Sequence, residues 1–406
     1  MTPQAAYLHV PFCRHRCGYC NFTLVAGRAD LVPAYLDALN RELAALTQPR
    51  PVRTLFIGGG TPTFLRGADL ARLLDLVNHW HPLLPGGEFS VEANPADIDA
   101  EILGQLRAGG VTRVSLGGQS FSPRKLQLLE RDHDAARIEQ AVRHIQDAGL
   151  VAAVDLIFGA PGETRTEWQN DLDQLSRLAP AHVSTYGLTW ERGTRFWNRR
   201  LHGELQSVDE ATEATLYELA MAELTAAGYF HYEISNFAQP GRECAHNLVY
   251  WAGGEYYAAG PGAARYVAGE RSTNHRSTTT WLARLNQGLS PVAERERLSP
   301  DERARELAVF ALRQIAGFEV EWWQEQTGQI FDQFFGDSVA RLRALGLLEI
   351  VTSPVEQSLG TVPSRRARLT HQGIMLADSV CEELLRSRQR PAAVATGKNS
   401  SFVTKT

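Results

Sequence analysis

Three of the five cysteines of this chain, Cys13, Cys17 and Cys20, fall within eight positions in the stretch VPFCRHRCGYCNF. Thiolates at C-x3-C-x2-C spacing hold soft metals or iron–sulfur clusters. A structural zinc ion wants four ligands, commonly from C-x2-C pairs, so a zinc site here needs Cys244, His9 or His15 to complete it. A four-iron cluster can instead take three thiolates and leave one iron open to a ligand the protein does not supply. On that reading the missing fourth thiol is a binding position. An odd number of cysteines, three of them clustered, does not suit a disulfide framework and points to a reducing cytoplasm.

Other residues with chemical potential recur at the ends of short apolar or β-branched runs. RTLFIGGG runs into Gly59, Gly60, Thr61 and Pro62. EFSVEANP carries Glu92, TRVSLGGQSF carries Gln119, VAAVDLIFGAPG carries Asp155 and Gly159, and AHVSTYGLTWERG carries Tyr186 and Gly187. Taken singly, glycines make turns and Asp or Asn caps helices. Together they need an element that brings them to one place. Between the runs lie helical spacings such as Leu36, Leu39 and Leu43, then Leu70, Leu73, Leu74 and Val77, then Ile138, Ala141, Val142 and Ile145. Pro33 reads as part of an early turn, and Gly109, Gly110 and Gly149 as helix C-caps. Six β–α units in series predict a parallel sheet with right-handed crossovers. Six is short of the eight of a closed barrel, so the expected fold is an open, partial (β/α)6 TIM-like barrel with functional groups at the strand C-termini.

The barrel is expected over residues 1–235, with a strongly amphipathic helix over 207–228. A polar-aromatic connecting segment follows over 236–298. From 299 to 386 the pattern predicts a smaller, winged-helix-like α/β domain, with a hairpin at SVARLRALGLLEIV. Residues 387–406, polar and rich in Pro, Ala and Ser, read as a disordered tail. The composition, 44% hydrophobic and 21% charged with a net charge of −5, carries no basic excess for nucleic acid or an anionic membrane. No signal-peptide pattern and no apolar run of about 20 residues is present, so the expectation is a soluble cytoplasmic protein.

CRHRCGYC resembles the signature of the radical SAM superfamily, in which an aromatic residue, here Tyr19, precedes the last cysteine. The resemblance implies a [4Fe–4S] cluster whose open iron chelates S-adenosylmethionine and whose electron cleaves the C–S bond to give a 5′-deoxyadenosyl radical. It also implies that the Gly59–Gly60–Thr61 stretch approaches the methionine amino group, where a bare backbone is chemically reasonable. YLHVPFC, FIGGGTP, VEANP, DLIFGAPGET, YEISNFA, HNLVYW and RLTHQG narrow the resemblance to the oxygen-independent coproporphyrinogen III oxidase-like group, over nearly the whole chain to about residue 385. Carried over by position, Tyr7, Glu92, Gln119, Arg131 and Asp155 become the S-adenosylmethionine-binding polar set. Without the resemblance, Arg131 would read as a solvated helix residue.

Within the group, the coproporphyrinogen dehydrogenases carry a further cysteine two residues past the third, where this chain has Phe22. The C-N-F ending is similar to the C-D-F of the HemW-type heme chaperones, with Asn21 a mild departure. That branch carries an H-N-x-x-Y-W motif tied to heme binding, matched here by His246, Asn247, Tyr250 and Trp251. An imidazole can ligate heme iron, and Tyr and Trp can cover the macrocycle; Cys244 is a second candidate ligand. Ala264–Arg265–Tyr266 departs from the family, which has His-Ser after GPGA; Arg265 could meet a propionate. The partners implied are heme, respiratory haemoproteins as its recipients, an electron donor such as a flavodoxin or ferredoxin and, as a further candidate, a second copy of the chain. The rival readings are oxidative decarboxylation of coproporphyrinogen propionates to vinyls and a zinc module without radical chemistry.

Overall fold

The structure is a computed structural model that describes residues 2–357 and 360–386. Its centre is one nine-stranded sheet. Six strands run parallel and in chain order: β1 (Ala5–Val10), β2 (Val52–Gly59), β3 (Leu83–Ala93), β4 (Arg113–Gln119), β5 (Val151–Phe158) and β6 (His182–Gly187). Their inward and outward residues are both buried, as parallel strands covered by helices require; Ala5, Ala6, Leu8 and Val10 of β1 are all fully enclosed. The crossover helices are α1 (Val32–Ala44), α2 (Gly67–Trp80), α3 (Ala100–Ala108), the short α4 (Pro123–Leu128) with α5 (Ala135–Asp147), and α6 (Arg165–Leu178). Their starts are chemically marked. Asp99, Asp134 and Thr164 each accept a backbone N–H from the first turn of α3, α5 and α6. Pro33 lies in the first turn of α1, not in a separate turn, where its missing N–H costs nothing.

The sheet extends past the sixth strand. Strands β7 (Phe230–Glu233) and β8 (Asn236–Ala238) continue it antiparallel beyond β6, while β9 (Tyr257–Ala259) pairs parallel with β1 at the opposite edge. Residues 236–298 therefore also supply strands to both ends of the barrel sheet. The segment adds helix α9 (Ala245–Trp251) and a three-stranded antiparallel sheet of Ala264–Val267, Glu270–Asn274 and Val292–Glu296. Glu42 on α1 ties this region down, accepting from Gly260 N, Asn274 Nδ2 and Trp281 Nε1. Between β6 and β7 come α7 (Arg195–Leu201) and α8 (Glu210–Ala226); α8 buries Leu216, Leu219, Ala220, Met221 and Leu224 within the expected 207–228.

The C-terminal unit has winged-helix order. Helix Pro300–Leu312, begun by a Ser299–Glu302 capping box, leads to strand Phe318–Glu319, then helices Val320–Thr327 and Phe331–Ala344. The hairpin pairs Leu348–Gln357 with Gly360–Leu369, and Phe318 pairs with Ala367. The hairpin expected at SVARLRALGLLEIV starts later than predicted. Most of that stretch is the last turns of a helix whose Phe331, Phe334 and Phe335 pack around Trp323. Arginines on the second hairpin strand face carboxylates: Arg365 pairs with Glu321 and Asp332, Arg366 with Glu319, and Arg368 with Glu349. The 387–406 segment lies outside the described residues. No helix among the described residues is long and apolar enough to cross a membrane.

Candidate functional site

The C-terminal ends of the six parallel strands enclose a cavity of about 940 Å³. Cys13, Cys17, Tyr19, Cys20, Gly59, Gly60, Thr61, Glu92, Gln119, Arg131 and Asp155 all line it. These are eleven of the twelve residues expected for the cluster and S-adenosylmethionine. Residues more than 140 positions apart meet there because each ends a neighbouring strand, or follows one, of a single in-order sheet.

The cysteines sit on the loop that follows β1. Short strands Phe12–Cys13 and Val25–Ala26 pair at its base. Arg16 gathers the rest by donating to the carbonyls of Cys20, Phe22 and Leu24, and Arg14 anchors it to buried Asp97 at 2.5 Å. His15, considered as a zinc ligand, bonds through Nε2 to the Glu130 carbonyl at 2.6 Å. His9 is buried and staples the loop from below: Nε2 lies 2.7 Å from Thr23 O, and Nδ1 lies 3.0 Å from the Tyr7 hydroxyl. Burial lowers its pKa to about 4, so the ring is neutral and carries one proton for two partners. Cys244 is far from this loop. It is buried beside Glu88, its thiol pushed up to about 12 by burial.

Burial, and to a lesser degree the neighbouring thiols, raise the proton affinity of Cys13 and Cys20. Burial pushes Cys13 to about 11, with Cys20 and Cys17 adding to it. Opposing that, Thr61 Oγ1 lies 3.4 Å from Cys13 Sγ, and Arg131 Nη1 donates to Cys17 Sγ at 3.3 Å. These partners favour a bound thiolate. Among the described residues no three His, Cys, Asp or Glu side chains converge tightly enough to hold one metal ion.

Gly59 and Gly60 are required by close approach. Gly59 has φ +110°, and a Cβ there would lie 2.3 Å from the His9 ring; one on Gly60 would lie 2.6 Å from Phe12 O. The bare backbone thus makes room for the cysteine loop itself. Gly59 N donates to Glu92 Oε2 at 2.7 Å. Burial lifts Glu92 to about 7, with Asp155 adding to it, and burial lifts Asp155 to about 6 against hydrogen bonds from Ser184 and Ser115. Arg131 is no solvated helix residue: it lies after α4, with Nη2 donating to Gly117 O at 2.8 Å. Gln119 holds a left-handed φ of +66°, a strained conformation concentrated at functional sites. A buried charge cluster clamps the loop that follows it. Lys125 pairs with Glu163 and Asp171, and Asp171 accepts from Ser120 Oγ and Phe121 N at 2.7 Å each.

Tyr7 does not line the cavity. Its hydroxyl is turned to His9, so it supports the loop rather than the ligand space. The heme motif is also elsewhere. His246, Asn247, Tyr250 and Trp251 share α9, which packs against the start of β2. His246 is 1% exposed, with Nδ1 3.0 Å from Thr54 Oγ1 and Nε2 2.8 Å from Tyr250 OH. Thr54 precedes Gly59 by five residues, about 16 Å along a strand, so this imidazole is at the other end of the barrel with both nitrogens engaged. Trp251 is covered by Phe310 and by Arg313, 4.6 Å over its ring. Arg265 donates to Ser272 and does not line the cavity. Sequence reasoning missed Arg276, Arg313, Glu213 and the turn around Met375 and Leu376, all of which do line it. They come from parts of the chain with no motif of their own.

Fold and site together define a radical SAM-type partial barrel with an appended winged-helix-like domain. The radical SAM superfamily model matches residues 7–175, and a HemN C-terminal domain model matches 298–352. Heme chaperone HemW of Mycobacterium tuberculosis is 38% identical over 390 residues, covering 94% of this chain and 95% of that one. HemW of Bacillus subtilis is 33% identical over 382 residues, covering 93% and 98%. The solved coproporphyrinogen III oxidase HemN of Escherichia coli superposes with a TM-score of 0.81 at 23% identity, covering 95% of this chain and 90% of that one, which is a likeness of fold. The chain belongs to the HemW family of the radical SAM superfamily.

Proposed function

We propose that the chain is a cytoplasmic heme chaperone that holds a [4Fe–4S] cluster and S-adenosylmethionine at the barrel mouth and passes heme to respiratory haemoproteins. The observation that carries the first part is the convergence of Cys13, Cys17 and Cys20 on one cavity with Glu92, Arg131 and Asp155. The names of its relatives, heme chaperones, support the handling of heme, and respiratory recipients are what the resemblance implies. Cys13, Cys17 and Cys20 would hold the cluster, with Thr61 and Arg131 stabilising thiolate charge. When bound, such a cluster supplies an open iron for S-adenosylmethionine and the electron that cleaves its C–S bond. Glu92 and Asp155 are placed to accept from ligand hydroxyls or an amino group.

Phe22 argues against coproporphyrinogen decarboxylation. It lines the cavity and is 62% exposed, where the dehydrogenases of the resemblance carry a fourth cysteine. Heme ligation by His246 requires one ring nitrogen to give up its partner, Thr54 or Tyr250, and exposure of a side chain that is 1% exposed, so uptake there involves movement of the helix off the barrel. A second location is favoured by the cavity lining: Phe22, Tyr186 and Leu376 present apolar surface, and Arg276 and Arg313 can meet carboxylates. Anaerobic reconstitution followed by heme titration, with a parallel coproporphyrinogen assay, tests the proposal. Iron and sulfide uptake with stoichiometric heme binding supports it; turnover of coproporphyrinogen, or no heme binding, overturns it. Unchanged uptake in His246→Ala assigns heme to the cavity instead.

A further inference from the structure

One wall of the cavity comes from the C-terminal unit, in the helical turn His371–Met375 and the start of the helix Ala377–Arg386 that follows it. The turn is firmly seated. The Thr370 hydroxyl accepts from Gly373 N at 3.0 Å and donates to Gly346 O. A Cβ on Gly373 would lie 1.8 Å from Leu347 O, so a glycine is needed for the turn to come this close to the base of the hairpin. Ile374 and Ala377 are buried in the main core. Between them Met375 is half-buried and Leu376 exposed, and both line the cavity. The only other methionine beyond the first residue, Met221, is buried under α8. Arg313 stands beside the turn: its Nη1 is 4.0 Å from Asp378 Oδ1, and its Nε is buried with no hydrogen-bond partner.

A thioether facing a cavity is a soft, uncharged metal ligand with no proton to lose. The other donors around the cavity are committed or ill-suited. On the cluster reading the three thiols are taken. His15 has Nε2 on Glu130 O at 2.6 Å and Nδ1 4.0 Å from Asp132 Oδ2. Tyr19 is engaged with Arg131, and the Tyr217 hydroxyl donates to Ile234 O at 2.5 Å. Tyr186 opens to the cavity, yet burial of its phenol, with Asp155 adding to it, raises its proton affinity far above the ordinary value and opposes a tyrosinate ligand. The carboxylates are hard donors. Resting on the heme reading above, with heme in the cavity, we propose that the Met375 thioether is an axial ligand of the heme iron and that Arg313 meets a propionate beside it. The bond is dative, from the Sδ lone pair to iron, and no proton or electron moves. Methionine ligation raises the reduction potential of heme, so the site holds ferrous heme more tightly than ferric heme. The iron and propionate contacts both come from the C-terminal unit, while the cluster and S-adenosylmethionine residues come from the barrel, so one cavity presents different walls to its cargo and its cofactors.

Hemin titrated into the anaerobically reconstituted chain, as the ferric form and after dithionite reduction, tests this by affinity and by near-infrared magnetic circular dichroism. A thioether bound to ferric heme gives its own sulfur-to-iron charge-transfer band there. Met375→Leu keeps the volume and the apolar wall. It should weaken ferrous heme binding by at least the roughly tenfold that losing a metal site's outer-shell partner costs, and remove the band, with cluster iron content and far-ultraviolet circular dichroism unchanged. Met375→His offers a stronger ligand and should retain ferric heme longer than the parent does. A cluster-bearing Met375→Leu chain that binds heme with the parent's affinity and spectrum refutes the axial ligand and leaves the heme chaperone reading intact. A parent chain that binds no heme removes both together. Loss of the heme spectrum in His246→Ala, with that of Met375→Leu unaltered, would place the iron at α9 and overturn the proposal.

Discussion

Lowering the pH from 7.5 to 5 should weaken S-adenosylmethionine binding by a large and calculable factor if Glu92 and Asp155 hold the ligand as carboxylates. Both are deep in the barrel, and burial raises them to about 7 and about 6. A ligand that needs the ionised form must first displace the proton. At pH 5 that costs Glu92 about 100-fold in affinity, and Asp155 about tenfold, since each pKa unit below the group's value is a factor of ten. The two are coupled, with Asp155 raising Glu92, so they titrate as a pair and the product, about 1000-fold, is an upper bound. Equilibrium dialysis of the reconstituted chain across this range reads the slope directly. Glu92→Gln should bind more weakly at pH 7.5 and retain only the roughly tenfold dependence of Asp155. A flat profile, tighter binding at low pH, or an unchanged slope in Glu92→Gln would refute the reasoning. The ligand-free chain should show the opposite trend in stability. The folded state holds the Glu92 proton more tightly than the unfolded state, whose value is near 4.5. That contribution is fully present below about pH 4.5 and is lost as the pH rises through 7.

Three further outcomes are expected. Cys20→Ser should abolish absorbance near 400 nm after anaerobic reconstitution while leaving circular dichroism unchanged, because Cys20 is only partly buried and its side chain supports no core packing. Gly60→Ala places a Cβ 2.6 Å from Phe12 O, a backbone atom, so the cysteine loop must move; urea denaturation should show a loss of about 1–3 kcal/mol, with reduced iron uptake. Lys125→Met leaves Glu163 and Asp171 buried with no cation between them and should cost about 3–5 kcal/mol in the same assay.

Much of the site was legible in the amino-acid order because its signals are local. The spacing of Cys13, Cys17 and Cys20, the glycines after β2 and one polar residue at each strand end are all short-range patterns. A parallel β–α series carries strand ends to one rim whatever the details of packing. The C-terminal caps at Gly110 and Gly149, both at positive φ, were readable for the same reason. What the order of residues could not convey is which way a side chain turns and which distant segment it meets. Tyr7 and His246 carry motif identities, yet Tyr7 spends its hydroxyl on His9 and His246 spends both nitrogens on Thr54 and Tyr250. Those partners are set by the register between β1, β2 and a helix about 190 residues later in the chain, which no local spacing encodes. Likewise β8 and β9 join the sheet only through long-range pairing with β6 and β1. The chain's own order thus specified the cofactor-type chemistry and the barrel that presents it. Tertiary packing alone decided which aromatic and imidazole groups face the cavity, because Tyr7 and His246 took the partners that neighbouring elements supply.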